Sequence, residues 1–267
     1  MVDKDVIVFQ VSLLELYRKI KVSYRIVRSF FLDLRFSNIN FSNTLENITL
    51  IGPGSLTICL ITAFFIGMVF TLQVAKEFLY LDAINLIGAV LTIAFVRELS
   101  PVLTSVIIIG RIGSAFTAEL ATMRVTDQID ALYLLGVNPL FYLIFPRIFA
   151  CICITPMLNL ISFATSLASS SFICFTLYDI TPVIFFSSAF ASLSILDLFK
   201  SLLKTVVFGF VISLVSCVWG ITAKGGAKGV GKATTSSVVF CLLSVFVIDF
   251  IMSYLMFNKL ESAIKTL

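Results

Sequence analysis

Two ionisable residues, Arg97 and Glu98, stand side by side in an otherwise uncharged run from 83 to 110. A third, Asp249, interrupts the apolar run 233–258. A charge at the centre of a bilayer costs on the order of 3 kcal/mol even on a lenient insertion scale, so such residues are retained for a purpose. Adjacent helical residues point about 100° apart, so Arg97 and Glu98 need not neutralise each other. Two readings stand. In one, they pair with residues of other helices and fasten the bundle, with Asp249 an available partner for Arg97. In the other, they line a polar cavity through which a substrate head group passes.

Other chemistry is poorly supplied. The chain has no histidine, which removes haem ligation by His, HExxH zinc chemistry and Ser/His or Cys/His catalysis. All six cysteines lie in apolar stretches and read as small buried hydrophobes. Cys151 and Cys153, two apart on a helix, face different sides and make a poor zinc pair. No catalytic residue, metal ligand or cofactor of this chain is assigned. The stretch from Gly226 to Lys232 nearly matches the phosphate-cradling pattern G-x-x-x-x-G-K-[ST], but Ala233 replaces the hydroxyl that would hold Mg²⁺. A tight turn explains residues 225–233 better, with Thr234 and Thr235 starting the last helix.

The elements that must hold these residues follow from composition. Hydrophobic residues make up 59% and charged residues 13% of the 267, and mean hydropathy is +1.09. An ordinary soluble domain carries roughly 25% charged residues, and this much apolar surface cannot be hidden from water in a small fold. The chain reads as an all-α polytopic membrane protein. Uncharged runs, broken only by Arg97, Glu98 and Asp249, place spans at 47–75, 83–110, 148–178, 205–223 and 233–258, each long enough to cross a bilayer core, which takes roughly 20 residues. A shorter run, 180–196, opens with Thr181-Pro182 and is either a sixth span or a helix outside the bilayer. Thirteen Lys and Arg fall on the side of the N-terminus against five opposite if the spans number five, which puts the N-terminus inside. A net charge of +4, scattered along the chain, does not suggest nucleic acid.

Residues 1–46 form a separate region. Asp3 and Asp5, where a secretory signal would begin with a positively charged region, argue against such a signal. Arg18, Lys21, Arg25, Arg28 and Arg35 share about 100° of helical arc. Leu13, Leu16, Ile20, Val27, Phe30, Phe31 and Leu34 lie opposite. This pattern fits a helix lying in the membrane interface, held by apolar burial and anionic lipid, or one packed on another subunit. Residues 38–47, rich in Asn and Ser, read as its linker to the membrane domain at 47–267.

The longest polar interruption runs from Arg111 to Arg147 on the inside. Within it Thr126 reads as an N-cap, with Asp127 and Asp130 in the first turn of a short helix. Ile129, Leu132 and Tyr133 give it an apolar face, and Gly136 with Asn138-Pro139 ends it. A simple connection could be shorter, so this helix reads either as a docking element for a cytosolic partner or as a solvated loop helix. Gly110, Gly113, Ser114 and Ala115 offer a small-residue face for helix packing.

With these motifs in place, the chain resembles the MlaE-type permeases of ATP-binding-cassette lipid transporters, the family that includes plastid lipid-import permeases. The resemblance rests on segments in order: Ile51-Gly52-Pro53-Gly54, Val96 to Thr104, Gly110 to Ala115, Ala118 to Leu132 with Gly136 to Pro139, Leu203 to Gly209, and Lys224 to Thr235. It implies a homodimeric permease with five spans, an interfacial N-terminal helix, and 180–196 on the far side. It further implies a non-catalytic subunit whose ATP is used by a separate cytosolic or stromal ATPase. An MCE-domain lipid-binding protein would stand on the opposite face. Glu119, Arg124, Thr126, Asp127, Gln128 and Asp130 would belong to the ATPase-coupling helix, although the family usually has Glu where Asp127 stands. Arg97, Glu98, Gly52 and Gly54 would line the lipid path, with Arg97 attracting a lipid phosphate. An ATP-independent secondary transporter and a membrane scaffold are the alternatives, and a membrane enzyme lacks the usual histidine base. The excess of Phe over Gly, 27 against 13, points to AT-rich coding, and with it to a plastid inner envelope ahead of a bacterial inner membrane.

Overall fold

The computed structural model describes residues 17–30, 32 and 41–257. Among them the elements are all helical: α1 (17–30), α2 (Phe41–Tyr80), α3 (Ile84–Val125), α4 (Gln128–Leu134), α5 (Leu140–Tyr178), α6 (Pro182–Ser192), α7 (Ile195–Ile221) and α8 (Gly226–Phe257). Five of them, α2, α3, α5, α7 and α8, are long and apolar enough to cross a membrane. Helix α6 has 11 residues and reaches only about 16 Å at 1.5 Å per residue, roughly half a hydrocarbon core. The chain is thus a multi-pass membrane protein with five spans. Thr181, in extended conformation, precedes α6 and Pro182 opens it, where its missing N–H leaves no helical bond unmade.

Several helices outrun the apolar segments that announce them. Helix α3 spans 42 residues and continues past Arg111, Glu119 and Arg124, so much of the expected polar interruption is helix. Helix α8 begins at Gly226, which corrects the turn expected over 225–233. The turn itself is confined to Gly225 and Gly226, at φ +94° and +64°, and Thr234 and Thr235 lie inside the helix. The supposed linker 38–47 is helical from Phe41, where Asn47 Nδ2 donates to Asn43 O at 2.7 Å. Helices need hydrophobic residues only where they meet lipid, so a run that stops at the first charge underestimates them.

Backbone contacts divide the chain into two compact units. One takes the described residues up to Asn47, with Ile109–Ala150 and Phe210–Leu242. Here α1 buries Ile26 and Phe30, and the Phe30 ring lies 5.2–5.6 Å from those of Phe145, Phe149 and Phe210. Lys19 Nζ sits 4.5 Å from the centre of the Trp219 ring, a cation–π contact. The rest of α1 carries two further stripes: Tyr17, Ile20 and Tyr24 are exposed, and beside them Arg18, Lys21, Arg25 and Arg28. Leu13, Leu16, Phe31, Leu34 and Arg35 lie outside the described residues. Gly113 faces Ser216, whose Oγ would stand 3.0 Å from a Cβ added there. Thr117 Oγ1 bonds Ser216 O at 3.1 Å and Ser237 Oγ at 2.9 Å. Gly110 has open space around it, so the expected small-residue face narrows to Gly113.

The other unit takes Ile48–Ile108, Cys151–Gly209 and the described residues from Leu243. Its core gathers Leu91, Phe95, Phe163, Leu167, Cys174 and Phe185. Helices α2 and α5 approach closely at Gly67, where a Cβ would come 2.8 Å from Ser166 O, and Ser166 Oγ reaches Ala63 O at 3.2 Å. Small residues permit such contact between membrane helices, and hydroxyls supply bonds across it. Of the six cysteines, five are buried; Cys153 is exposed, which corrects the reading of all six as interior.

Gly67→Ala should lower the melting temperature in detergent, since overpacking costs about 1–3 kcal/mol. Gly231→Ala, at an open helical position, should leave it unchanged or raise it. Equal effects of the two, measured by thermal unfolding, would contradict the close α2–α5 approach.

Candidate functional site

Midway along α3 the backbone widens into a π-helical turn over Phe95–Leu99. Such insertions displace residues from the regular helical register and recur at functional sites. This one carries Arg97 and Glu98, and it directs them to two different partners on α7. Arg97 Nη2 donates to Asp197 Oδ2 at 2.9 Å. Glu98 Oε2 accepts from Lys204 Nζ at 3.0 Å. Asp197 and Lys204 are seven residues apart, close to two helical turns, and so share one face of α7.

Lys204 is the centre of the arrangement. Its side chain has no exposed surface, and Nζ also donates to Arg97 O at 3.0 Å and to Ser253 Oγ at 2.7 Å. Asp249 Oδ1 lies 2.8 Å away. Four oxygens, from α3 and α8, thus surround one ammonium with three N–H donors. Asp249 therefore pairs with Lys204, not with Arg97 as the sequence suggested. Asp197 and Lys204 fall before the apolar run 205–223 and so outside the span drawn from it, whereas α7 starts at Ile195. Their seven-residue spacing was the signal available.

A second polar layer adjoins the first. Ser100 Oγ donates to Asn159 Oδ1 at 2.7 Å, Asn159 Nδ2 donates to Ser201 Oγ at 3.0 Å, and Thr155 Oγ1 donates to Thr205 O at 3.0 Å. These bonds tie α5 to α3 and α7, fixing the turns on which Arg97, Glu98 and Lys204 stand. Gly52 and Gly54 flank Pro53 within α2, both half-buried, and the space beyond Gly52 is open.

The other candidate residues gather around α4. Thr126 does not cap it: its hydroxyl bonds back to Thr122 O at 2.9 Å, and it closes α3. Asp127 precedes α4 with φ +57°, a left-handed conformation that Asp adopts more readily than most residues. Thr126 and Asp127 together turn the chain between the two helices, and Asp127, with no side-chain bond, takes the N-cap position expected of Thr126. At the other end Gly136, at φ +75°, permits Val137 N to donate to Leu132 O at 3.0 Å, a left-handed C-terminal cap. Asn138 Oδ1 then accepts from Leu140 N at 3.0 Å and starts α5.

Ion pairs brace this hairpin. Arg124 meets Asp130 at 2.5 Å, and Arg147, almost wholly buried, meets Glu119 at 2.7 Å while lying over the Phe116 ring. Asp127 and Gln128 are exposed. Ile129 is buried, but Tyr133, Leu134 and Leu135 are exposed, Leu134 to 90%. The expected apolar face is thus only partly covered, and adjacent exposed hydrophobics of this kind mark interaction surfaces.

Lys204→Met should sharply reduce thermal stability in detergent, because leaving charges buried without their partner costs about 3–5 kcal/mol. Adding Asp249→Asn should recover part of the loss. Full stability of Lys204→Met alone would show that the network does not hold the helices.

Comparison with known proteins places this geometry in context. A family model described as permease MlaE matches residues 44–255. The probable ABC transporter permease protein ycf63 of Porphyra purpurea is 53% identical over 96% of this chain and 97% of its own. The probable ABC transporter permease protein slr1045 of Synechocystis is 46% identical over 91% and 92%. Protein TRIGALACTOSYLDIACYLGLYCEROL 1, chloroplastic, of Arabidopsis thaliana is 45% identical over 85% of this chain and 65% of its own.

Proposed function

The chain belongs to the MlaE permease family of ABC transporters, and from that premise we propose that it carries lipid, above all phospholipid, across or between membranes. The observation that carries this reading is the buried ion network on the π-turn of α3, which leaves Glu98 half exposed. A bundle that needed only fastening could bury apolar residues at lower cost. A head group drawn through hydrocarbon needs polar atoms along its way. Arg97 and Glu98 line that path in this reading, and Gly52 and Gly54 let α2 adjust beside Pro53. A chloroplastic relative whose name contains a galactolipid supports lipid as the cargo. The chloroplastic relative supports a plastid inner envelope membrane.

Energy comes from outside the chain. A separate ATPase subunit binds and hydrolyses ATP, and α4 with the end of α3 couples to it through Glu119, Arg124, Thr126, Asp127, Gln128 and Asp130. Two copies of the permease enclose the lipid path, and an MCE-domain protein meets them on the opposite face. ATP binding draws the coupling helices together, the two copies rock, and the path changes its exposure. The support for this coupling is the hairpin at α4: capped at its C-terminal end, braced by two ion pairs, and exposing Tyr133, Leu134 and Leu135.

Leu134→Glu should abolish co-purification of the ATPase and lipid-stimulated ATP hydrolysis, with the melting temperature of the permease unchanged. Lipid transfer by the purified chain in the absence of any ATPase would instead favour a secondary transporter. Normal transfer after Arg97 and Glu98 have both been neutralised would favour a scaffold.

A further inference from the structure

Helix α1 has no part in the ion network or in the α4 hairpin, yet it is strongly basic. Residues 17–30 hold Arg18, Lys19, Lys21, Arg25 and Arg28 and no carboxylate. At about 100° per residue, three stripes divide its surface. Lys19, Ile26 and Phe30 share the side that meets the bundle, with Ile26 and Phe30 buried and Lys19 over the Trp219 ring. Arg18, Lys21, Arg25 and Arg28 lie within about 80° of arc on the opposite side, and all four are exposed. Among the described residues none of these four enters an ion pair. Tyr17, Ile20 and Tyr24 form an exposed stripe that adjoins them.

The docked stripe fixes where the other two stand. Phe30 packs on Phe145 and Phe149, which flank the start of the uncharged run of α5 at Ile148. Trp219 lies in the last turn of α7. Helix α1 therefore sits where the spans leave hydrocarbon, on the Lys- and Arg-rich face of the membrane. Tyrosine favours the boundary between lipid tails and head groups, and Lys and Arg are drawn to a negatively charged leaflet. An acidic protein would answer the four cations alone. An apolar stripe set beside them at the membrane boundary is answered by the bilayer.

We propose that the exposed basic stripe of α1 binds anionic membrane lipid as a resident ligand, whatever lipid the permease carries. Lipid bound there holds α1 against the ends of α5 and α7. The contacts at Phe145 and Phe149 lie on either side of Arg147, which braces the α4 hairpin through Glu119. The leaflet thereby supports the element proposed to meet the ATPase.

Trp219 is the one tryptophan of the chain and is buried, so Tyr24→Trp adds a fluorescent reporter on the exposed stripe. The full-length variant is reconstituted into vesicles of phosphatidylcholine mixed with phosphatidylglycerol, with bromine on the chains of one lipid or of the other. Quenching of the fluorescence gained over wild type is then measured. Brominated phosphatidylglycerol should quench about fivefold more effectively than brominated phosphatidylcholine, and added salt should narrow the difference. With Arg18→Gln, Lys21→Gln, Arg25→Gln and Arg28→Gln introduced together, the two lipids should quench alike. The melting temperature in phosphatidylcholine alone should not change, because the docked stripe is untouched. Equal quenching by the two lipids in Tyr24→Trp itself, or a preference that survives the four substitutions, overturns the proposal. So does the absence of quenching by either lipid, the result expected if α1 stands clear of the bilayer. Lipid transfer by the ATPase complex is scored separately: its absence would defeat the permease reading and leave the quenching result standing.

Discussion

A single ammonium group buried among helices that face lipid sets the terms for the rest of this structure. Lys204 has no surface to which its charge could escape, so the protein must bring oxygens to it. It does so from two neighbouring helices: a carboxylate and a carbonyl from the widened turn of α3, and a carboxylate and a hydroxyl from α8. The arrangement works only if α3, α7 and α8 keep their registers, because a shift of one residue turns each side chain by about 100°. The serine and asparagine bonds beside it, from Ser100 through Asn159 to Ser201, hold those registers.

The spans were legible from hydropathy because lipid contact demands apolar surface, and the shortness and Thr-Pro start of α6 were visible as well. What could not be read from apolar runs was where helices end. Arg111, Glu119 and Arg124 lie on α3 beyond its uncharged run, and Asp197 and Lys204 lie on α7 ahead of its own. For Asp197 and Lys204 the consequence was larger, since discounting them left Asp249 as the apparent partner of Arg97. Gly136 was legible as a helix terminator from its residue type. Asp127 was not, because nothing local distinguishes an Asp in the left-handed region from one in a first helical turn.

The two chemically distinctive regions differ in how they treat exposure. Around Glu98 nearly every charge is enclosed and one carboxylate is left accessible, an arrangement suited to brief contact with a passing polar group. Around α4 the charges pair at the surface and the apolar residues Tyr133, Leu134 and Leu135 point outward, an arrangement suited to lasting contact with another protein. The lipid-permease role proposed for the chain uses both kinds of surface.

Whether the buried charges act on lipid or only hold helices together is decided most directly by exchanging one pair. Arg97→Asp combined with Asp197→Arg preserves the ion pair and the total charge, while reversing which helix bears the cation. The account predicts that this double variant assembles with its ATPase and melts close to the wild-type temperature, yet transfers lipid at least tenfold more slowly in a reconstituted vesicle assay. Lipid transfer restored to the wild-type rate would contradict it, and would leave the network as a fastening alone.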